Sequence, residues 1–160
     1  MLTLPARALA TTPEPSGVLV WIDAETAVVI RWGGGAPSIE RHVSDVPAHH
    51  RGTEHVRYDP RTRHGGGGGW QAAEERRRIE HLDRFVAGIA GGLDRDEDVI
   101  VMGPGTVHER LGALLRERDA GHRRTRPIDV RTSERRTDRQ LVAQLRAHLC
   151  AGPRRRRARS

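Results

Sequence analysis

The sequence predicts an α/β domain with a mixed sheet of about five strands, an antiparallel meander followed by parallel strands, flanked by helices. Short β-branched runs separated by turns fill the first part of the chain and predict an antiparallel meander. Further along, apolar residues recur at helical spacing, and short apolar strands alternate with these helices. Such alternation is typical of parallel strands with helices covering the faces of the sheet.

The opening segment predicts three strands. Residues 1–16 are rich in Thr and Pro and are expected to form a flexible lead-in, so the domain is assigned to residues 17–150. The run Gly17–Ile22 is apolar and predicts a buried strand, and Thr26–Trp32 is rich in β-branched residues and predicts a second. The more polar segment Ser38–Val46 predicts a third strand after a glycine turn.

A long helix is predicted from Gln71 to the Gly91-Gly92 pair. The apolar positions recur every three, four or seven residues, which is the spacing of one helical face; they are Ala72, Ile79, Leu82, Val86, Ile89 and Leu93. Glu74 and Glu75 are expected in the first turn of this helix, where its dipole favours anions.

The second half of the domain predicts two strands and two helices. The strands are Asp98–Met102 and Ile128–Val130, and each is followed by a Ser/Thr-x-x-Glu/Gln capping pattern that predicts a helix start. These patterns are Thr106 with Glu109 and Thr137 with Gln140. Gly103-Pro104-Gly105-Thr106 lacks the lysine and the length of a nucleotide-binding loop, so we interpret it as a structural turn.

The composition and charge of the chain exclude several kinds of protein. All 28 basic residues are arginine and the net charge is +7, but removing the five arginines of the basic tail 151–160 leaves only +2. The single cysteine, Cys150, excludes an intramolecular disulfide and a Cys-rich zinc site. The sequence contains no apolar stretch of about 20 residues, so no membrane-spanning helix is predicted. With no pattern typical of a signal peptide at its start, the chain is expected to be cytoplasmic.

The most informative motif is the segment from Arg63 to Ala73, in which His64 and five glycines precede Trp70 and Gln71. Glycines allow a main chain to approach a ligand closely. A helix start directly after them supplies oriented N–H groups that stabilise negative charge. The alternative interpretation of five glycines alone is a flexible linker.

This motif resembles the catalytic loop of eukaryotic and archaeal class-I release factors and Pelota, whose middle domain carries His-Gly-x-Gly-Gly-Gln before a long helix. The resemblance extends to Gly17–Asp23, to Asp98–Thr106 and to Ile128–Glu134, and so covers residues 17–149. It implies hydrolysis of the ester between a nascent peptide and tRNA, in the ribosomal peptidyl-transferase centre. By this resemblance Gln71 would position water and assist the leaving group, after Gly68 and Gly69.

Two departures from the family pattern leave an alternative open. Trp70 stands between the glycines and Gln71, as in quality-control relatives with Gly-x-x-Gln, and the codon-reading and partner-binding domains have no counterpart here. The sequence therefore predicts a codon-independent release or rescue factor. The alternative is a non-catalytic hibernation or quality-control factor that occupies the same ribosomal centre.

The resemblance also implies partners, which are ribosomal RNA of the peptidyl-transferase centre, the tRNA acceptor end and a translational GTPase. Neither a cofactor nor a membrane is expected, and His49, His50 and His55 lack the acidic or cysteine partners of a metal site. Arginine binds phosphates and stacks on bases. The predicted RNA-binding residues are Arg61, Arg63, His64, Trp70, Arg76, Arg77, Arg154, Arg155, Arg156 and Arg157.

Overall fold

The computed structural model describes residues 16–47, 67–122 and 126–151. In these ranges five strands and three helices follow one another along the chain: β1 (Gly17–Ile22), β2 (Thr26–Trp32), β3 (Ser38–Val43), α1 (Gly67–Gly91), β4 (Asp98–Gly103), α2 (Val107–Asp119), β5 (Ile128–Thr132) and α3 (Asp138–Cys150). The predicted α/β class is confirmed.

The strands form one mixed sheet in the order β3-β2-β1-β4-β5. The opening meander is antiparallel, with β1 paired to β2 and β2 paired to β3. β4 then pairs with β1 in parallel and β5 pairs with β4 in parallel. The predicted division into a meander and later parallel strands is therefore confirmed, and the carboxyl ends of β1, β4 and β5 lie along one edge of the sheet.

Side chains of the central strands alternate between two cores because successive residues of a strand point to opposite faces. On one face Val18, Val20 and Ile22 of β1 pack in a cluster with buried residues of α1 and α2. On the other face Leu19 and Trp21 pack in a cluster with α3. The fold thus has three layers, and β1 is buried throughout.

Two glycines permit close approach of the main elements. A Cβ at Gly103 would lie 2.0 Å from the carbonyl oxygen of Ile22, in the neighbouring strand. A Cβ at Gly112 would lie 2.5 Å from Cγ2 of Val130, so this glycine allows α2 to pack directly on β5. Larger side chains at these positions would have to separate strands or layers.

The two predicted capping boxes have different outcomes. Thr137 has an extended backbone (ψ 156°) and forms the full reciprocal box with Gln140, as predicted. Thr106 precedes α2 but has ψ −4°, and its side chain makes no capping hydrogen bond. A capping side chain reaches the helix N–H groups from an extended backbone, so the predicted box at Thr106 and Glu109 is wrong.

Several predicted boundaries also change. β3 ends at Val43 rather than Val46, while β4 and β5 extend to Gly103 and Thr132. Gly105 adopts a left-handed φ of +62°, which suits the turn predicted between β4 and α2.

A buried ion pair ties the end of α2 to the start of β5. Nε of Arg126 donates to Oδ2 of Asp119 at 2.8 Å, and both side chains are less than 10% exposed. Arg126 also donates to the carbonyl oxygen of Asp94, in the connection before β4. The guanidinium therefore joins three chain segments at the amino edge of the parallel strands.

Candidate functional site

The first half of α1 extends beyond the sheet. α1 has 25 residues, about 37 Å at 1.5 Å per residue, whereas the six residues of β1 span about 20 Å. The helix ends near the amino edge of the parallel strands, where Arg31 of β2 donates to the carbonyl oxygen of Gly92 at 2.6 Å. Its excess length must therefore lie beyond the carboxyl edge.

His81 marks where α1 crosses that edge. Its Nδ1 atom lies 3.2 Å from Oδ2 of Asp45. The neighbouring Ser44 N–H bonds to the carbonyl oxygen of Glu25, in the turn that follows the carboxyl end of β1. The helical residues before His81 extend about 20 Å further. We call residues 67–80 the α1 arm.

The arm contributes little to the core. From Gly69 onwards, the first buried side chain in the described part of α1 is Leu82, and Ile79 is 36% exposed. Ala72 is exposed as well, so the predicted apolar stripe is a core contact only from Leu82 through Val86 and Ile89 to Leu93. Ala72 and Ile79 lie on the predicted helical face, but they do not reach the core because the sheet does not extend under the arm.

The start of α1 differs from the prediction. The helix begins at Gly67, four residues before Gln71, so the described glycines Gly67, Gly68 and Gly69 are helical rather than part of a loop. Consequently, Glu74 and Glu75 are not in the first turn, which contains no acidic residue. Gly69 has no positive φ, and a Cβ there would meet nothing within 4 Å.

Gln71 lies near the tip of the arm with its side chain exposed. It precedes Leu82 by eleven residues, about three turns, so it continues the inward face of the helix past the end of the sheet. Within a helix that starts at Gly67, the N–H of Gln71 bonds to the carbonyl of Gly67. The N–H groups of Gly67, Gly68 and Gly69 have no acceptor within the helix.

Trp70 is the most conspicuous apolar side chain of the arm, because it is 71% exposed. Arg77 follows it by seven residues, two helical turns, so the indole and this exposed guanidinium share a face. Arg76 is also exposed, and its Nε atom lies 3.4 Å from the carbonyl oxygen of Ala72. An aromatic ring beside arginines is a suitable combination for bases and phosphates.

The structure brings together only part of the predicted site. Gly68, Gly69, Trp70, Gln71, Arg76 and Arg77 all belong to the arm. The remaining predicted RNA-binding residues, Arg61, Arg63, His64, Arg154, Arg155, Arg156 and Arg157, lie outside the described residues. Their roles stay predictions.

Metal-binding clusters and membrane-spanning helices are both absent from the described residues. His49, His50 and His55 lie outside them, and within 16–47, 67–122 and 126–151 no group of three or more His, Cys, Asp or Glu residues could hold a metal ion. In the same ranges, no helix is both long and apolar enough to cross a membrane.

Sequence reasoning missed a second basic surface. A shallow depression of about 630 Å³ is lined by Arg41, Arg135, Arg136, Thr137, Asp138, Arg139 and Gln140. The segment Thr132–Arg136 resembles an ordinary polar connection in the sequence. The adjacent Arg135 and Arg136 are the feature of the sequence that could have indicated this surface. Arg41 could not be assigned to it, because Arg41 is 97 residues from Asp138 in the sequence and only the sheet topology brings the two together.

No family model matches the chain, and no curated protein matches its sequence. Among solved structures, the Pelota protein of Thermoplasma acidophilum is similar over 88% of this chain, with a TM-score of 0.44 and 15% identity. The archaeal translation termination factor aRF1 is similar over 87%, with a TM-score of 0.45 and 11% identity. The match spans 34% and 42% of those two chains.

Proposed function

We propose that this protein acts on ribosome-bound tRNA and hydrolyses the peptidyl-tRNA ester with Gln71 at the tip of the α1 arm. The observation that carries the proposal is the placement of the glycine-rich motif. The motif ends in Gln71 on a helix that extends about 20 Å past the sheet. An arm of one helix, about 10 Å across, can enter a narrow cavity while the domain remains outside.

The tip offers the groups that ester hydrolysis needs. The exposed carboxamide of Gln71 can accept a hydrogen bond from a water molecule and orient it towards the ester carbon. The water oxygen then bonds to that carbon, the bond to the tRNA ribose oxygen breaks, and a proton passes to that oxygen. The N–H groups of Gly67, Gly68 and Gly69 have no acceptor within the helix and lie at the positive end of its dipole, so they suit the oxyanion that forms.

The remaining side chains of the arm would supply binding. Trp70 is exposed enough to stack on an unpaired base, such as those of a tRNA acceptor end. Arg76 and Arg77 are exposed on the following turns and can contact backbone phosphates. This division assigns the chemistry to Gln71 and the affinity to its neighbours.

One observation favours the non-catalytic alternative. In the resembling family the backbone N–H of the glutamine assists the leaving group, but here helix formation from Gly67 binds the N–H of Gln71 within the helix. Trp70, inserted before Gln71, adds an exposed aromatic surface that suits binding. A hibernation or quality-control factor would need only that binding.

Peptide release from stalled ribosomes separates the two functions. Ribosomes carrying labelled peptidyl-tRNA are mixed with the protein, and free peptide and puromycin reactivity are both measured. The hydrolase releases free peptide at a rate that rises with protein concentration. A protein that releases none but blocks the puromycin reaction is the non-catalytic occupant instead.

A further inference from the structure

A depression lined by arginines forms a charged surface that the proposed site does not use. We define it by its four arginines, Arg41, Arg135, Arg136 and Arg139, which line a depression of about 630 Å³. The other lining residues are Thr137, Asp138 and Gln140, so none is apolar and one is acidic. The lining residues therefore carry a net charge of +3.

The connection between β5 and α3, which supplies Arg135 and Arg136, is fixed to the centre of the sheet. The Ser133 N–H bonds to the carbonyl oxygen of Gly103 at 2.9 Å. The indole N–H of Trp21, in β1, donates to the carbonyl oxygen of Glu134 at 3.1 Å. Because Trp21 is buried, this backbone is held by the core and its arginines project from a preformed support.

The four guanidinium groups are only partly neutralised within the protein. Arg41 pairs with Asp138 at 2.5 Å, which joins the edge strand β3 to the start of α3. Nε of Arg136 donates to the hydroxyl of Ser133 at 2.9 Å, which leaves its terminal amino groups available. Arg135 and Arg139 are exposed. Each side chain thus retains donors directed to solvent or to a ligand.

The depression lies at the same edge of the sheet as the α1 arm. β5 ends at Thr132, at the carboxyl edge of the parallel strands, and α3 starts at Asp138. α1 covers one face of the sheet and α3 covers the other. The far end of α3, at Cys150, lies about 20 Å from Asp138 and so is remote from the depression.

We infer that the arginine depression binds phosphates of an RNA backbone and anchors the domain beside the RNA that the arm enters. Planar guanidinium groups bind phosphate oxygens in pairs. The lining lacks the aromatic or aliphatic anchors at the centre of most protein–protein interfaces, which favours RNA over an acidic protein. The choice of RNA rests on the proposed function, whereas the site itself is assigned here by charge and geometry.

RNA affinity of the full chain tests this assignment. Binding to a labelled RNA hairpin is measured by fluorescence anisotropy over a series of salt concentrations. The double variant Arg135→Gln/Arg139→Gln should bind at least about tenfold more weakly, because it loses two charged hydrogen-bond donors to phosphate. Loss of two phosphate contacts should also lower the salt slope by roughly 1.8.

A matched control has the same charge change elsewhere. Arg116 and Arg118 are exposed at the carboxyl end of α2, which lies at the opposite edge of the sheet. Arg116→Gln/Arg118→Gln should leave the affinity within about twofold of wild type, since both lie far from the inferred contact. Circular dichroism of both variants verifies that each remains folded.

Three outcomes would overturn the inference. Wild-type affinity and salt slope in Arg135→Gln/Arg139→Gln would show that the depression does not contact RNA. Equal losses in both would show a diffuse charge effect. Tighter binding of polyaspartate than of RNA, lost in Arg135→Gln/Arg139→Gln, would assign the depression to an acidic protein. None of these depends on peptide release, so a protein that fails to release peptide can still bind RNA as inferred.

Discussion

Replacing Gly69 with alanine should stabilise the α1 arm. Gly69 is helical with a negative φ, and an added Cβ meets nothing within 4 Å. Alanine is favoured over glycine in a helix by about 1 kcal/mol, partly because it restricts the unfolded chain. The arm packs little against the core, so it can open without global unfolding. The stabilisation should therefore slow local opening by about fivefold.

Native-state amide exchange measures this local effect. Exchange of the amides of residues 71–77 should slow by about fivefold in Gly69→Ala, while the thermal midpoint stays unchanged. Gly88→Ala is the control, because Gly88 is also helical with open space around it but lies between the core residues Val86 and Ile89. That variant should raise global stability by about 1 kcal/mol.

The exchange result has a direct bearing on the mechanism. Faster exchange in Gly69→Ala would refute the helical placement of Gly69 and would support a glycine-specific conformation instead. If exchange slows and peptide release also falls, the glycine run must leave the helix during the reaction. If exchange slows and release is unaffected, the helical tip is the reactive form.

Three further substitutions test the fold and the binding surface. Gly103→Ala should lower stability by at least about 2 kcal/mol in urea unfolding, since its Cβ would lie 2.0 Å from the Ile22 carbonyl oxygen; wild-type stability would refute the close approach. Asp119→Ala leaves the buried guanidinium of Arg126 unpaired and should cost about 3–5 kcal/mol in the same assay, and a loss under 1 kcal/mol would count against this pair. Trp70→Ala should weaken ribosome binding by about 1–3 kcal/mol in filtration assays, as expected for loss of base stacking; undiminished affinity would exclude that role.

The sequence predicted elements where local pattern and core contact agree. Leu82, Val86, Ile89 and Leu93 repeat at helical spacing and are all buried, so the second half of α1 followed directly from periodicity. The helix was also predicted from Gln71, but its first turn, Gly67 to Trp70, was not, because this turn carries no apolar stripe and glycine disfavours helix. The position of Gly67 as the helix start therefore could not be read from side-chain pattern.

Features that depend on backbone geometry or on strand order were harder to predict. The capping patterns at Thr106 and Thr137 are similar in sequence, yet only Thr137 has the extended backbone that a capping side chain needs. The arginine depression depends on β3 lying near the start of α3, which joins Arg41 to Asp138. Such contacts follow from strand order, and strand order is not encoded in local spacing.

The most direct test of the proposed function compares peptide release and ribosome binding for Gln71→Ala in one preparation. The side chain is exposed at the tip of the arm, so its removal should not disturb the fold. Loss of a positioning group typically lowers a rate by about 10²–10³-fold, while affinity, carried by Trp70 and the arginines, should stay within about twofold. Glu74→Ala, also exposed on the arm, is the control and should release peptide at the wild-type rate. Release by Gln71→Ala at the wild-type rate would contradict the assignment of the chemistry to Gln71.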